Sequence, residues 1–352
     1  MNSLERFLKA IKREETDRVP KMELGIDDSV IAEIMPGKST LDFYEEIDLD
    51  AIVVWEDIDF KEVSPHIKRD HFGILRDFRD MHGPSWPYPI KPLIGENDDP
   101  EKYLDNYIPP DPDDPKRLKS LREAIKRFRG KKAVIFGMFN SFLYPALFRG
   151  FDKFLMDYIL NPEFVKRLSG MIVDYYIKLE KNAIECGADA IVDGDDYCSK
   201  TGPLISDKHF QEFILPGLKK AIDIAKNNNV PYIKHCDGYV WPLLDTLVNT
   251  GIDAINPIEP AAGMDIGKVK RTFGDRVTII GNVDCSHLLT FGSTEDVKKA
   301  TLECIKAASP GGGHILSSSN VIHCGVPARN FLAMLEAANK YGKYPLSLLP
   351  HK

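Results

Sequence analysis

Short, near-continuous apolar runs recur along the chain, separated by longer stretches whose apolar residues return every three or four positions. The runs fall at 19–24, 51–55, 133–138, 190–193, 231–235, 253–258, 277–282 and 314–319. Strands buried on both faces read as continuous apolar runs, and parallel neighbours need helical crossovers. Segments 161–186, 206–228, 240–250, 294–308 and 327–341 are amphipathic or open on a polar capping residue, as helices do. Eight strands alternating with helices predict an α/β chain folded as a (β/α)8 TIM barrel, with a doubly wound sheet as the alternative. A helical extension is expected ahead of the first strand. The pattern breaks between 61 and 115, where Pro84, Pro87, Pro89, Pro109, Pro110, Pro112 and Pro115 crowd among Gly, Asp and aromatic residues. Long structured loops of this kind are often functional covers. The expected organisation is one barrel domain over 1–352, with 61–115 inserted in its first third as a lid or substrate wall.

Composition narrows the function. With 352 residues, 43% hydrophobic and 28% charged, the chain has enough material for one large core. A net charge of -7 and a pI near 5.8 argue against a phosphate-tracking surface, since nucleic-acid binders usually present a basic face. No run of about 18 apolar residues is present and the first residues lack a signal-peptide core, so a cytoplasmic protein without membrane contact is expected. The six cysteines are spread through the second half and are expected as reduced thiols.

Polar residues gather where each apolar run stops. Glu23, Glu56 and Asp57, Asn140, Asp193 with Asp195 and Asp196, His235 with Asp237, Asn256 with Glu259, Asn282, and Asn320 with His323 all sit at expected strand C-terminal ends. In a (β/α)8 barrel those ends converge on one mouth, which is where catalytic residues of this fold sit. Imidazole, thiolate and carboxylate are zinc ligands, and both Tyr232-Ile233-Lys234-His235-Cys236-Asp237-Gly238 and Ile322-His323-Cys324-Gly325 carry them. Strand residues alternate faces, so His235 and Asp237 point one way and Cys236 the other. His235 and Cys324 are therefore expected as ligands. Asp237 is a third ligand or the carboxylate that orients an imidazole, and Cys236 stays open because bulges loosen alternation at strand ends. The run Asp193-Gly194-Asp195-Asp196 offers a general acid or base, or a helix cap. Trp55 and Trp86 are expected to line an aromatic-accepting pocket, although core packing is the commoner use of such residues. Asn140, Glu259, Asn282 and Asn320 join them as substrate-contacting candidates.

The chain resembles the uroporphyrinogen decarboxylase superfamily, and within it the corrinoid-dependent methyltransferases. The resemblance rests on Glu5-Arg6-Phe7 with Thr16-Asp17-Arg18-Val19-Pro20, Gly194-Asp195-Asp196 with Lys200-Thr201-Gly202-Pro203, His235-Cys236-Asp237-Gly238, Pro257-Ile258-Glu259-Pro260, Gly281-Asn282-Val283-Asp284 and Ser317-Ser318-Ser319-Asn320. It implies a (β/α)8 barrel with its active site in the mouth. The decarboxylases hold a polyacidic porphyrinogen with an N-terminal arginine-bearing segment, whereas this chain has Lys21-Met22-Glu23-Leu24-Gly25-Ile26-Asp27-Asp28 there. The zinc methyltransferases carry a His-x-Cys pair and a later Cys; His235 and Cys324 match the first and last, and Asp237 replaces the middle Cys. The resemblance thus implies zinc-dependent transfer of a methyl group between a small methylated substrate, such as an aromatic methyl ether, and the cobalt of a corrinoid. No Asp-x-His-x-x-Gly corrinoid signature is found, so the corrinoid is expected on a partner protein. Glu23, Glu56, Asp57 or Asp196 would protonate or position the leaving group. Metal-free decarboxylation and a non-catalytic barrel are the alternatives.

Overall fold

The computed structural model describes residues 1–79, 87 and 89–346. Its centre is a parallel sheet of seven strands in sequential order: β1 (Ala51–Trp55), β2 (Ala133–Met138), β3 (Ala190–Asp193), β4 (Tyr232–His235), β5 (Ala254–Asn256), β6 (Thr278–Ile280) and β7 (His314–Ile315). The eighth apolar run, 19–24, closes the sheet. Its Lys21 pairs in parallel with Leu316, beyond β7, while the Asp50 amide, at the start of β1, donates to Lys21 O at 2.7 Å. Each strand thus lies where its apolar run predicts it, and the curled sheet with its outer helices is the expected barrel.

Alternation along the strands builds the interior. Ala51, Val53 and Trp55 of β1, Ala133 and Ile135 of β2, Ala190 and Val192 of β3, Ile233 of β4 and Ala254 of β5 form one inner cluster. Ile52, Val54, Val134 and Phe136 belong to the larger layer between sheet and helices. Small alanines at the entry end leave room for the helix Ser3–Ile11, whose Phe7, Ala10 and Ile11 plug that end. Thr278 Oγ1 donates to the carbonyls of Ala10 and Ile11 at 2.8 and 3.0 Å. Arg6 reaches Asp17 at 2.7 Å and the buried Asp50 at 2.5 Å, so the opening motif of the chain seals the end away from the mouth.

Local signals set the helix ends. Pro162 stands at the first turn of Pro162–Cys186 and Gly187, with φ of 103°, ends it in a left-handed conformation few other residues adopt. Ser293 and Asp296 form a capping box on Thr294–Ala308. Three helices, not one, cross from β2 to β3, because Leu143–Arg149 and Phe151–Leu160 precede the long one. Within 61–115 the chain forms an antiparallel sheet of Lys61–Ser64, Ile67–Arg69 and Leu75–Asp77, then the helix Pro100–Asn106. Among the described residues no helix is long and apolar enough to cross a membrane.

Candidate metal centre and barrel mouth

β4 delivers His235 to the mouth on the same face as Ile233, and β5 places Asn256 beside it in register. Asn256 Nδ2 donates to Ile280 O at 3.4 Å, which turns its Oδ1 toward His235 Nδ1 at 2.6 Å. An acceptor there requires the proton on Nδ1, which leaves Nε2 of the neutral ring with its lone pair. Nε2 faces Asp237 Oδ1 at 3.5 Å and Asp196 Oδ1 at 3.7 Å. These are too long for hydrogen bonds and suit three donors around a shared cation, since zinc sits roughly 2.0–2.2 Å from such atoms. Donor atoms of Asp196, His235 and Asp237 all lie within 4.8 Å of one another.

The turn after β4 is fixed from several sides. The Asp237 amide donates to Asp196 Oδ1 at 2.7 Å, and the Gly238 amide to Glu259 Oε2 at 2.7 Å. Gly238, with φ of 90°, has Ser199 O 2.5 Å from where a Cβ would lie, so no larger residue enters this turn. Asn320 Nδ2 donates to Asp237 Oδ2. Asp237 Oδ1 is buried and has no hydrogen-bond donor among the described residues. Burial, opposed by His235 and reinforced by the charges of Asp196 and Glu259, raises the Asp237 carboxyl to about 7. A partnerless buried oxygen beside an imidazole lone pair is unfavourable by itself and is relieved by a cation.

A cavity of about 1170 Å³ opens over this group. Trp55, Asp196, His235, Asp237, Asn320 and Cys324 all line it. The indole of Trp55 lies across the ring of strands, stacked on Phe139 with centroids 5.2 Å apart. A Cβ at Gly137 would come within 2.6 Å of that indole and one at Gly194 within 2.9 Å. Two glycines therefore make the seat for Trp55, and glycine inside a strand was the sequence signal for such close approach.

Apart from Cys324, the remaining candidates among the described residues do not line this cavity. Asp193 receives Lys234 Nζ at 3.0 Å, the Tyr232 hydroxyl at 3.0 Å and the Asp195 amide at 2.9 Å. Asp195 accepts the amides of Phe142 and Leu143 at 2.8 and 3.1 Å, and burial with the Asp193 charge raises it to about 7. Glu23 accepts from Ser318 N at 3.0 Å and from the Ser318 hydroxyl; burial lifts it to about 8. Glu56 meets the Tyr175 hydroxyl and His71 Nε2, the latter at 3.2 Å, and is likewise pushed to about 8 by burial. Asp57 accepts the Ser120 amide at 2.8 Å and caps the helix Lys119–Phe128. Asn140 is buried with its Oδ1 partnerless, and Asn282 Nδ2 donates to Ile258 O at 2.8 Å. Cys236 points away from the cavity, its Sγ accepting the Tyr197 amide at 3.3 Å, as strand alternation predicts. Cys324 is exposed at the rim, outside the group of three. Trp86 lies outside the described residues. Asn256 was visible at a strand end, but its role as the orienter of His235 depends on register.

The family profile described as Uroporphyrinogen decarboxylase (URO-D) matches residues 31–341. The chain belongs to the uroporphyrinogen decarboxylase family. Uroporphyrinogen decarboxylase of Pseudoalteromonas atlantica is 24% identical over 318 residues, 86% of this chain and 81% of that protein. The chloroplastic uroporphyrinogen decarboxylase of Nicotiana tabacum is 33% identical over 165 residues, 46% of this chain and 39% of that one. A methyltransferase from Methanosarcina mazei shares the fold, with a TM-score of 0.73 at 17% identity over 97% of this chain and 99% of that one.

Proposed function

We propose that the chain is a zinc-dependent methyltransferase that moves a methyl group between a small methylated substrate and the cobalt of a corrinoid carried by a separate protein. The observation that carries this reading is the convergence of the His235 Nε2 lone pair, the partnerless Asp237 Oδ1 and Asp196 Oδ1 on one point of the cavity. Asp196, His235 and Asp237 hold the metal in this reading, with Asn256 and Asn320 fixing two of the donors. Three protein ligands with an open position are the catalytic zinc pattern. Zinc there supplies a Lewis acid toward the heteroatom that bears the methyl group. In this reading Trp55 and Phe139 wall the reacting end and exclude water, and Cys324, on the same cavity, joins the ligand set when substrate or partner covers the mouth.

Decarboxylation of a porphyrinogen-like polyacid is the reading that the relatives' names favour. It calls for cations facing the mouth. Arg18 pairs with Asp48 at 2.7 Å, Lys234 with Asp193 and Arg149 with Asp157 at 2.7 Å, and none of the three lines the cavity. Among the described residues its walls hold no lysine or arginine, which supports the methyltransferase reading. The test is methyl transfer to cob(I)alamin from a panel of methyl ethers, thioethers and amines, followed by the cobalt absorption change. Transfer from a panel member that is lost in His235→Ala supports the proposal. Release of carbon dioxide from uroporphyrinogen without methyl transfer overturns it.

A further inference from the structure

At about 1170 Å³ the cavity exceeds the roughly 300–1,000 Å³ common for ligand pockets, and a seam in the barrel wall accounts for the excess. The run 19–24 and the residues after it bond repeatedly to the β7 side, where Met22 N donates to Leu316 O at 3.1 Å and Ile322 N to Gly25 O at 2.9 Å. Toward β1, which is an edge strand of the seven-stranded sheet, the same segment makes one backbone hydrogen bond among the described residues, from Asp50 N to Lys21 O. Beyond that bond the two strands part, and the Trp55 indole N–H reaches across the gap to Leu24 O at 3.4 Å. Val53 packs with the inner cluster of the barrel, whereas Ile52 and Val54 belong to the layer between sheet and helices, yet all three line the cavity. The space therefore passes from the mouth through the seam into a side lobe between β1 and the helix Thr40–Glu46, where Leu41 and Tyr44 complete the wall.

The floor of this lobe is apolar except for one group. Ile52 and Val54 are buried, and Tyr44 is only 3% exposed although it lines the cavity. Its ring packs edge-on against Phe43, with centroids 5.6 Å apart. The Tyr44 hydroxyl has no hydrogen-bond partner among the described residues, and burial raises it well above its ordinary value, so it stays protonated and able to donate. A buried hydroxyl without a partner is unfavourable and is relieved by an acceptor. Asp28 and Glu123 also line the cavity, but both are exposed and belong to its solvent side. A charged ligand group on the floor, among Tyr44, Ile52 and Val54, would be buried without a counter-charge there, which favours an uncharged occupant.

We propose that the side lobe is a subsite for the far end of the methyl donor, which is an elongated, uncharged molecule with an apolar body against Leu41, Ile52 and Val54 and an oxygen acceptor that takes the Tyr44 hydrogen bond. The choice of the methyl donor as occupant rests on the methyltransferase reading, while the preference for an apolar tail with one acceptor rests on the lobe itself. The lobe is continuous with the space over Asp196, His235 and Asp237, so one molecule can occupy both. Apolar area removed from water supplies the affinity, and the Tyr44 hydroxyl supplies the selectivity among tails.

Three uncharged probes with one head group separate these effects: methoxybenzene, 1-butyl-4-methoxybenzene and 4-(4-methoxyphenyl)butan-2-one, whose tail has the length of the butyl chain but carries a carbonyl. Calorimetry on the zinc-supplied chain is expected to show both tailed probes binding about tenfold or more tightly than methoxybenzene. Tyr44→Phe is expected to weaken the ketone about threefold to tenfold and leave the butyl compound unchanged. Leu41→Trp, which fills the lobe, is expected to bring both tailed probes to the affinity of methoxybenzene at unchanged zinc content. Methoxybenzene binding as tightly as the tailed probes, a tail advantage that survives Leu41→Trp, or a Tyr44→Phe effect equal on both tailed probes overturns the subsite. Tail selectivity without methyl transfer to cob(I)alamin from any probe would keep the subsite and remove the methyltransferase reading; transfer from all three probes at equal affinity would do the reverse.

Discussion

Asp193 and Asp196 are three residues apart, yet their surroundings are opposite. At Asp193 a lysine, a tyrosine and a backbone amide answer the carboxylate behind the barrel wall. At the mouth, Asp196 and Asp237 face an imidazole lone pair, and one oxygen of Asp237 has no donor. The first cluster is electrically complete, whereas among the described residues no lysine or arginine pairs with the second. The strand's two-residue period, followed by the turn after β3, sends neighbouring acids to different faces, so chemistry here follows from partners and not from the density of acids in the sequence.

The largest effect expected is on the complete cluster. Lys234→Met leaves Asp193 buried and uncompensated, and is expected to cost about 3–5 kcal/mol in urea unfolding; a variant as stable as the parent would break the contrast between the clusters. His235→Ala should do the converse, unfolding at nearly the parent's urea midpoint while methyl transfer falls to background. Asn256→Ala removes the acceptor that holds His235, and metal affinity is expected to fall about 10–100-fold with an unchanged circular dichroism spectrum. An unchanged affinity would show that Asn256 does not orient the imidazole.

A smaller effect sharpens the picture of the interior. Glu180 is buried without a hydrogen-bond partner, and burial followed by the Asp193 charge pushes it from 4.5 up to about 9. The unfolded chain gives up this proton near 4.5, and the folded chain keeps it until about 9. Unfolding therefore releases a proton across that window, so the group's contribution, fully present at low pH, declines as pH rises through it. Glu180→Gln should flatten this decline, its melting temperature gaining on the parent by a few degrees toward the alkaline end. Parallel curves would mean that Glu180 is ionised in the folded chain.

Most of the barrel was legible because it rests on local pattern. Buried parallel strands announce themselves as apolar runs, and the two-residue period separated His235 and Asp237 from Cys236 correctly. Roles that depend on distant partners were not legible. Asp57 reads as one more acid at a strand end, but it caps a helix through Ser120, 63 residues on; Glu56 is claimed by Tyr175, 119 residues away. Leu143–Arg149 escaped because its five buried residues, Tyr144 to Phe148, leave no amphipathic stripe to detect. The resemblance pointed to Cys324 as a ligand, whereas the structure brings Asp196 into the group of three and leaves Cys324 at the rim.

The most direct test is elemental analysis of the purified chain after zinc has been supplied under reducing conditions, beside His235→Ala, Asp196→Ala and Cys236→Ser. A cation site at the mouth predicts near-stoichiometric zinc in the parent and in Cys236→Ser, lost in the other two. No zinc in the parent, or zinc that persists in His235→Ala and Asp196→Ala, would contradict it.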